Sequence, residues 1–362
     1  MGLGGGGGVG SSETEAIERE RAREWEEAAE AVAYDSCTWP PPVVAVCGPG
    51  NSGKTAFSRI LLNTLLPRYK KVAYLDTDVG QPEFTPPGFV SLHVLEEQAE
   101  DFKMLYLRTA KRCFFFGDVC ANKNPKLLLS YIFSLYDYFL KELYRFDDVN
   151  NLERSAIPLV INTSGWVKGT GLIMLKEILK YTSPTHVIRL STTADGKNLP
   201  VGMFWSDESE GDAVNLIEIR AAQDSPHHLL VKEARIIQPF QLPISKIQVI
   251  GLHNQVPDNA EHHFLNGTIV GIATSASPPL SNQCTIPCCI GLGFIKAVDV
   301  PGDCIHLITP VSRQLLESVD IIFRSCITVP TCLFQVASDS VCDITERLEK
   351  MRCPLEGLIE LP

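Results

Sequence analysis

An eight-residue loop, GPGNSGKT at positions 48–55, limits the fold of this chain more than any other feature. It follows the apolar run VVAVC (43–47) and opens a helical stretch, which is the context that the pattern G-x4-G-K-[ST] requires. Its residues are Gly48, Pro49, Gly50, Asn51, Ser52, Gly53, Lys54 and Thr55. Glycines let backbone N–H groups point at phosphate oxygens, and the helix N-terminus adds positive charge there. The loop therefore predicts a site for a nucleoside triphosphate.

Within this loop we expect Lys54 to reach the β- and γ-phosphates of ATP and the Thr55 hydroxyl to bind Mg²⁺. The alternative is a glycine-rich strand-to-helix turn that binds nothing. Eight residues in pattern with the right flanks favour the phosphate site.

Short apolar runs alternate with helical stretches from Val43 onward, which is typical of a parallel sheet with helices on both faces. The predicted strands are 43–47, 71–76, 159–162 and 186–190, and the predicted helices are 54–66, 125–145 and 171–181. With right-handed βαβ connections, this pattern predicts an α/β fold, a P-loop NTPase sheet of the doubly wound kind.

The rhythm changes near residue 240 to β-type runs separated by Gly, Pro and Asp, which predicts a smaller all-β C-terminal domain. Four segments follow: a disordered Gly-rich tail (1–12), a helix with linker (13–40), a P-loop kinase domain (41–239) and a β-rich domain (240–362). The N-terminal helix has only a thin apolar stripe, so we expect it to dock loosely on the core.

Two carboxylates follow the second predicted strand in YLDTDVGQPEFTPPG (74–88). Asp76 and Asp78 are two positions apart, so both project from one face of an extended chain. At the C-terminal edge of a parallel sheet they would enter the ligand crevice, one near Mg²⁺ and one accepting a proton from an attacking hydroxyl. The alternative is a pair of solvated acids. Gln81 is a candidate for orienting substrate or water.

A third cluster, NTSGWVKGTG (162–171), follows the predicted strand 159–162. Trp166 stands between glycines on this loop and can stack on a base, a contact worth about 1–3 kcal/mol. The alternative is that it only packs on the helix that follows. Lys168 adds a positive charge suited to a phosphodiester.

The composition of the chain says more about its cellular compartment than about its chemical function. The net charge is −11, and nine acids with three arginines in residues 13–35 account for −6 of it. This mild excess neither indicates nor excludes nucleic acid. Twelve cysteines without an apolar N-terminal signal predict reduced thiols in the cytosol or nucleus. The uncharged stretch 262–295 is interrupted by prolines and polar residues, so we expect no membrane span.

The motifs taken together resemble the polynucleotide 5′-hydroxyl kinases of RNA processing, and more narrowly their nucleolar, plant-like branch in pre-ribosomal RNA maturation. The resemblance covers the chain from about Pro41 to its C-terminus and includes FFFGDV (114–119). The phosphate loop alone is shared by many unrelated enzymes. D-x-D-x-G-Q followed by T-P-P-G, with a later T-x-G-W-V-K-G, is far more specific.

The resemblance implies ATP-dependent transfer of the γ-phosphoryl group to the 5′-hydroxyl of RNA, with DNA an open alternative. It gives Lys54 the phosphate role and Thr55 and Asp78 the Mg²⁺ role. Asp78 is also the general base, and Asp76 is a weaker candidate. The clasp on the first nucleotides is assigned to Thr163, Gly165 and Trp166, with Gln81 and Lys168 beside it. The resemblance also implies a nuclear and nucleolar location and an endoribonuclease partner.

Two features depart from the family pattern. The family closes its site with an arginine-bearing helical lid, but the corresponding segment 227–246 offers only Lys232 and Arg235 and looks shortened. Larger members carry an N-terminal β domain where this sequence has a Gly-rich stretch and a helix, so adenine contacts are expected to differ.

Two alternatives to the kinase stay open. A weak or inactive family member could serve as an assembly scaffold, which the short lid favours. A different P-loop enzyme, such as a small-molecule kinase or GTPase, is disfavoured because the kinase half lacks the guanine-reading N-K-x-D motif and Trp166 suits a polymer end.

Overall fold

The structure is a computed structural model, and its described part consists of nine segments. These are residues 10–35, 40–96, 110–144, 156–194, 196–205, 214–222, 238–253, 265–276 and 286–328. They divide into two compact units. The first contains the described residues up to Asp78, 92–96 and 135–222, and the second contains 79–91, 110–134 and those from 238 on.

Helices and strands alternate through the first two hundred residues, and strands dominate after them. The helices are α1 (Gly10–Asp35), α2 (Lys54–Tyr69), α3 (Pro125–Glu142), α4 (Gly169–Thr182) and the short α5 (Arg313–Leu316). The first seven strands are β1 (Val43–Cys47), β2 (Val72–Asp76), β3 (Phe89–Leu95), β4 (Arg112–Phe115), β5 (Leu159–Asn162), β6 (His186–Ser191) and β7 (Asn215–Arg220). The remaining six are β8 (Gln238–Leu242), β9 (Gln248–Gly251), β10 (Thr268–Ala273), β11 (Cys289–Asp299), β12 (Cys304–Thr309) and β13 (Ile321–Thr328).

A parallel sheet forms the centre of the first unit, in the strand order β2-β5-β1-β6-β7. Each neighbouring pair in this series is parallel. Every residue of β1, β2 and β5 is buried. Continuous apolar strands are what a sheet covered on both faces requires, because neither side of such a strand meets water. The predicted P-loop α/β fold is confirmed, including the strands at 43–47, 71–76, 159–162 and 186–190.

The N-terminal helix α1 packs on α2 and β7 within the first unit. Its buried side chains are Trp25, Ala28, Ala29, Val32 and Ala33. The expectation of loose docking is wrong, because small alanines let the helix approach closely while Trp25 supplies a large apolar contact. The helix begins at Gly10, inside the stretch predicted to be a disordered tail, and residues 1–9 lie outside the described part of the chain.

The second unit contains a six-stranded sheet in the order β8-β12-β11-β10-β13-β9. Its pairs are antiparallel except β13 with β9. Burial alternates along β12, so one face of the sheet meets an apolar core. The core residues are Leu242, Ile247, Leu265, Val270, Ile272, Ile295, Ile305, Leu307, Leu316, Val319 and Ile322. The predicted β-rich C-terminal part is confirmed.

Residues 238–242, in the segment expected to act as a shortened lid, form strand β8 and pair with β12. The helical lid of the family pattern therefore cannot include these residues. Lys232 and Arg235 lie outside the described residues. Among the described helices, none combines the length and the apolar character needed to cross a lipid bilayer.

Candidate active site

Three loops that carry the predicted site residues follow three adjacent strands. Strand β5 pairs on one side with β1 and on the other with β2, both in parallel. Asn162, the last residue of β5, is in register with Val46 of β1 and with Asp76 of β2. Because the carboxyl ends of parallel strands share one edge, the loops that follow them meet there.

The phosphate loop has the backbone that anion binding requires. Gly53 adopts a left-handed conformation with φ of 90° and is the N-cap of α2, whose first turn has no side-chain cap and no acidic residue. The N–H groups of that turn are therefore available to an anion, and the helix dipole favours negative charge there. The Lys54 ammonium lies against the same loop and donates to the carbonyls of Gly48 at 3.2 Å and Pro49 at 2.7 Å.

Burial changes the acid–base properties of two groups beside the loop. Lys54 is buried, and this burial lowers the pKa of its ammonium below the usual 10.5, while the negative charge of Asp78 acts in the opposite direction. Burial also raises the pKa of the Cys47 thiol to about 12, so this cysteine is a neutral thiol at physiological pH. The Cys47 side chain is therefore uncharged at the end of β1. The Lys54 ammonium has lost contact with water through burial, and a bound phosphate would compensate for that loss.

The two candidate carboxylates occupy different environments. Asp76 is fully buried, and its Oδ1 atom accepts hydrogen bonds from the Asp78 backbone N–H at 3.2 Å and the Asn162 side-chain amide at 3.1 Å. Asp78 is only partly buried. Asp76 therefore fixes the chain at the end of β2, while Asp78 has a carboxylate that a substrate can reach.

Asn162 belongs to this site, although sequence reasoning did not single it out. Its amide donates to Asp76, but its Oδ1 atom is buried and has no hydrogen-bond partner within the described part of the chain. A buried acceptor of this kind normally has a partner, so it needs an explanation. The only sequence signal was a polar residue at the end of the apolar run LVIN.

The magnesium ion predicted from the loop motif fits the donor set at this edge. Thr55 offers a hydroxyl, Asp78 offers a carboxylate, and Asn162 offers an amide oxygen that has no hydrogen-bond partner among the described residues. Magnesium prefers such oxygen donors and usually keeps waters and substrate phosphates as its other ligands. The described segments contain no group of three or more His, Cys, Asp and Glu side chains arranged for a metal.

The loop after β5 lies directly against the phosphate loop. The Thr163 hydroxyl donates to the Val46 carbonyl at 2.8 Å, which ties this loop to the end of β1. At Gly165 an added Cβ atom would stand 2.5 Å from the Cα and N atoms of Gly50. Only glycine allows this approach, because real Cβ contacts are never so short.

Trp166 is partly buried and packs over the start of α4. A Cβ atom added at Gly171 would come within 2.2 Å of the Trp166 Cβ and 2.7 Å of its Cε3. Packing on the following helix is therefore present, and part of the indole stays exposed. Lys168, the N-cap of α4, is exposed. Gln81 is exposed and belongs to the second unit.

The fold and the loop define the P-loop class of nucleotide-binding proteins. A family model described as the P-loop of the mRNA cleavage and polyadenylation factor CLP1 matches residues 48–222. A second model, described as the NOL9-like C-terminal domain, matches residues 235–330. Polynucleotide 5′-hydroxyl-kinase NOL9 of Arabidopsis thaliana is 38% identical, over 86% of this chain and 92% of the relative. This chain belongs to the family of polynucleotide 5′-hydroxyl kinases.

More distant relatives extend the comparison. The Danio rerio protein named polynucleotide 5′-hydroxyl-kinase NOL9 is 26% identical over 84% of this chain and 48% of its own length. The chain thus spans about half the length of this animal relative. The solved wild-type Clp1p–Pcf11p complex contains a chain with a TM-score of 0.62 at 15% identity, covering 85% of this chain and 79% of that one. That likeness supports the fold.

Proposed function

We propose that this protein is an ATP-dependent kinase that phosphorylates the 5′-hydroxyl end of RNA. One observation carries the proposal. Strands β1, β5 and β2 share one carboxyl edge, and the phosphate loop, the Gly165–Trp166 loop and the segment with Asp78 all begin there. The Arabidopsis relative named as a polynucleotide 5′-hydroxyl kinase supports it.

The proposed reaction divides roles among the chain's own residues. The backbone N–H groups of residues 50–55 and the Lys54 ammonium hold the β- and γ-phosphates. The 5′-oxygen of RNA attacks the γ-phosphorus, a new P–O bond forms, and the bond to the β–γ bridging oxygen breaks to release ADP. The hydroxyl proton passes to the Asp78 carboxylate. Asp76 acts through its hydrogen bond to the Asp78 backbone, as a positioning residue.

Magnesium belongs to the same proposal. Thr55 and Asp78 would hold the ion, with the Asn162 Oδ1 atom beside them. When bound, Mg²⁺ neutralises charge on the phosphates and lowers the barrier to transfer.

The RNA end would be held by the loop after β5. Thr163 and Gly165 fix the loop, the exposed part of Trp166 stacks on a base, and Lys168 meets a backbone phosphate. Gln81 would orient the terminal nucleotide. We further propose that the protein acts in pre-ribosomal RNA processing in the nucleolus, beside an endoribonuclease that generates 5′-hydroxyl ends. The proposed kinase and C-terminal domains are residues 41–239 and 240–362.

The test is transfer of labelled γ-phosphate from ATP to a short single-stranded RNA with a 5′-hydroxyl. Lys54→Ala and Asp78→Asn should each lose at least about a hundredfold in rate, because each removes charge stabilisation or the base. Lys71→Ala is the matched control, since this lysine is exposed and its ion-pair partner among the described residues is the surface Glu96. A 5′-phosphorylated RNA serves as the blank.

Label on the hydroxyl RNA alone, lost in both site variants and kept in Lys71→Ala, supports the kinase. Absence of label from a protein that still binds ATP contradicts it and favours the scaffold alternative.

A further inference from the structure

Helix α1 contacts the phosphate loop through the side chain of Trp25. A Cβ atom added at Gly53 would lie 2.6 Å from the Trp25 Cη2 atom and 3.3 Å from its Cζ2 atom, so the six-membered part of the indole covers this glycine. The indole also meets the Phe57 ring edge-on, with centroids 5.9 Å apart. Trp25 therefore touches both the last glycine of the loop and the first turn of α2.

Strand β7 fixes the position of that tryptophan. The indole Nε1 donates to the Arg220 carbonyl at 2.8 Å. The Arg220 guanidinium in turn pairs with Glu24 at 2.7 Å and Glu20 at 3.0 Å, one turn apart on α1. Exposed ion pairs contribute little to stability, but here they join α1 to the same residue of β7 that accepts the hydrogen bond of the tryptophan.

The chain just after β7 also reaches the phosphate loop directly. The Ala222 backbone N–H donates to the Ser52 carbonyl at 3.0 Å, and the Ala222 Cβ lies 3.2 Å from a Cβ added at Gly53. The Ser52–Gly53 peptide thus lies against Trp25 of α1 and against Ala222, which follows β7. Ser52 itself is buried, and its hydroxyl has no hydrogen-bond partner within the described segments.

We infer that α1 positions the phosphate loop, with Trp25 holding Gly53 in the left-handed conformation that aims the loop's N–H groups at phosphate. A glycine-rich loop loses backbone freedom when it closes on a ligand, and that loss weakens binding. Contacts that fix the loop before the ligand binds remove this entropic cost. Trp25 is in this sense a positioning residue that sets the affinity for ATP. The inference rests on the proposed function only in that the loop binds a nucleotide.

The decisive variant is Trp25→Phe in the full chain. A phenyl ring keeps apolar packing toward Phe57 but lacks the atoms that reach Gly53 and the N–H that bonds to Arg220. If the freedom of about one backbone residue returns, the dissociation constant for a fluorescent ATP analogue rises roughly five- to thirtyfold. The KM for ATP should rise in parallel, while kcat at saturating ATP stays close to that of the native protein. The Tm should fall, because the Arg220 carbonyl loses its donor. Trp25→Ala should show the larger affinity loss and a lower Tm.

Val32→Ala is the matched control for a purely structural role. Val32 is fully buried and lies seven residues further along α1 on the same face, away from the loop. This variant should lower Tm and leave the affinity for the analogue unchanged.

Equal affinity in Trp25→Phe and the native chain would overturn the inference, as would affinity losses that follow Tm across all three variants. Analogue binding is measured without RNA. A native protein that binds the analogue but transfers no phosphate contradicts the kinase and leaves this inference testable. A native protein that binds no analogue contradicts both.

Discussion

At the scale of single residues, the contact between Gly165 and Gly50 links the nucleotide loop to the proposed RNA loop through backbone alone. A methyl group at position 165 would require the phosphate loop to move, because its nearest neighbours are the Gly50 Cα and N atoms at 2.5 Å. Loop geometry at this site is therefore set by the absence of a side chain.

We predict that Gly165→Ala weakens binding of a fluorescent ATP analogue about tenfold or more, because forcing atoms into a packed site costs about 1–3 kcal/mol. The measurement is the dissociation constant. Ser164→Ala, one residue earlier on the same loop, should bind like the native protein. An unchanged dissociation constant for Gly165→Ala would contradict the prediction, because it would show that the phosphate loop can move without loss of affinity.

Lys54 gives a second prediction at this scale. Burial lowers the pKa of its ammonium below 10.5, and only the protonated form attracts phosphate. Affinity for ATP should therefore fall as pH rises through the lowered pKa, before pH 10.5. Titration of the binding constant from pH 7 to 10 measures it. The Lys54→Ala variant should bind ATP weakly, and its affinity should not decline with pH. An equal decline in the variant and the native protein would show that another group titrates.

At the scale of elements, helices α3 and α4 are joined by a buried hydrogen bond. The Tyr136 hydroxyl donates to the Thr182 carbonyl at 2.7 Å. Burial raises the pKa of Tyr136 well above its usual value, so the hydroxyl keeps its proton at any ordinary pH. A second bond, from the Tyr181 hydroxyl to Asp137, is only partly buried.

We predict that Tyr136→Phe lowers the free energy of unfolding by about 1–3 kcal/mol, because it leaves a buried carbonyl without its donor. Denaturant unfolding followed by circular dichroism measures the change. Tyr181→Phe should cost less, since water can replace its partner. Equal losses in the two variants would argue against burial as the cause.

The elements differ in how well the sequence predicted them. Strands β1, β2, β5 and β6 are near-continuous apolar runs, and both faces of such strands are buried in a parallel sheet. Strands β3 and β7 lacked that signal. In β3 the apolar run is interrupted by Ser91 and His93, both buried. In β7 most residues are exposed or partly exposed, so its pairing with β6 comes from tertiary contact.

The residues of the candidate site also differ in how well the sequence predicted them. The motif residues were visible because phosphate binding demands fixed types at fixed spacing. Asn162 was missed because its position in register with Asp76 emerges only when the strands pair. The contact of Trp25 with Gly53 could not be read from sequence at all, since no local pattern joins a helix to a loop 28 positions later.

At the scale of the whole molecule, the net charge of −11 disfavours long-range attraction of a polyanion. Binding of RNA should then depend on a few local contacts at its 5′ end. We predict that RNA longer than a few nucleotides gains little affinity. If two or three phosphates are contacted, the slope of log K against log salt should be about −1.4 to −2.1.

The measurement is RNA affinity by fluorescence anisotropy at several salt concentrations, with oligonucleotides of increasing length. Lys168→Ala should reduce the slope by about one phosphate equivalent. A slope that steepens steadily with length would reveal an extended basic track and contradict the prediction.

The hydrogen bond between Trp25 and Arg220 spans 195 positions of the chain, and that separation has a consequence during synthesis. A ribosome adding about 5–20 residues per second needs about 10–40 s to pass from one residue to the other. Helix α1 is therefore translated long before the strand that anchors it. A nascent chain shorter than about 220 residues lacks the carbonyl that accepts from the Trp25 indole, and the phosphate loop acquires its full set of neighbours only late in translation.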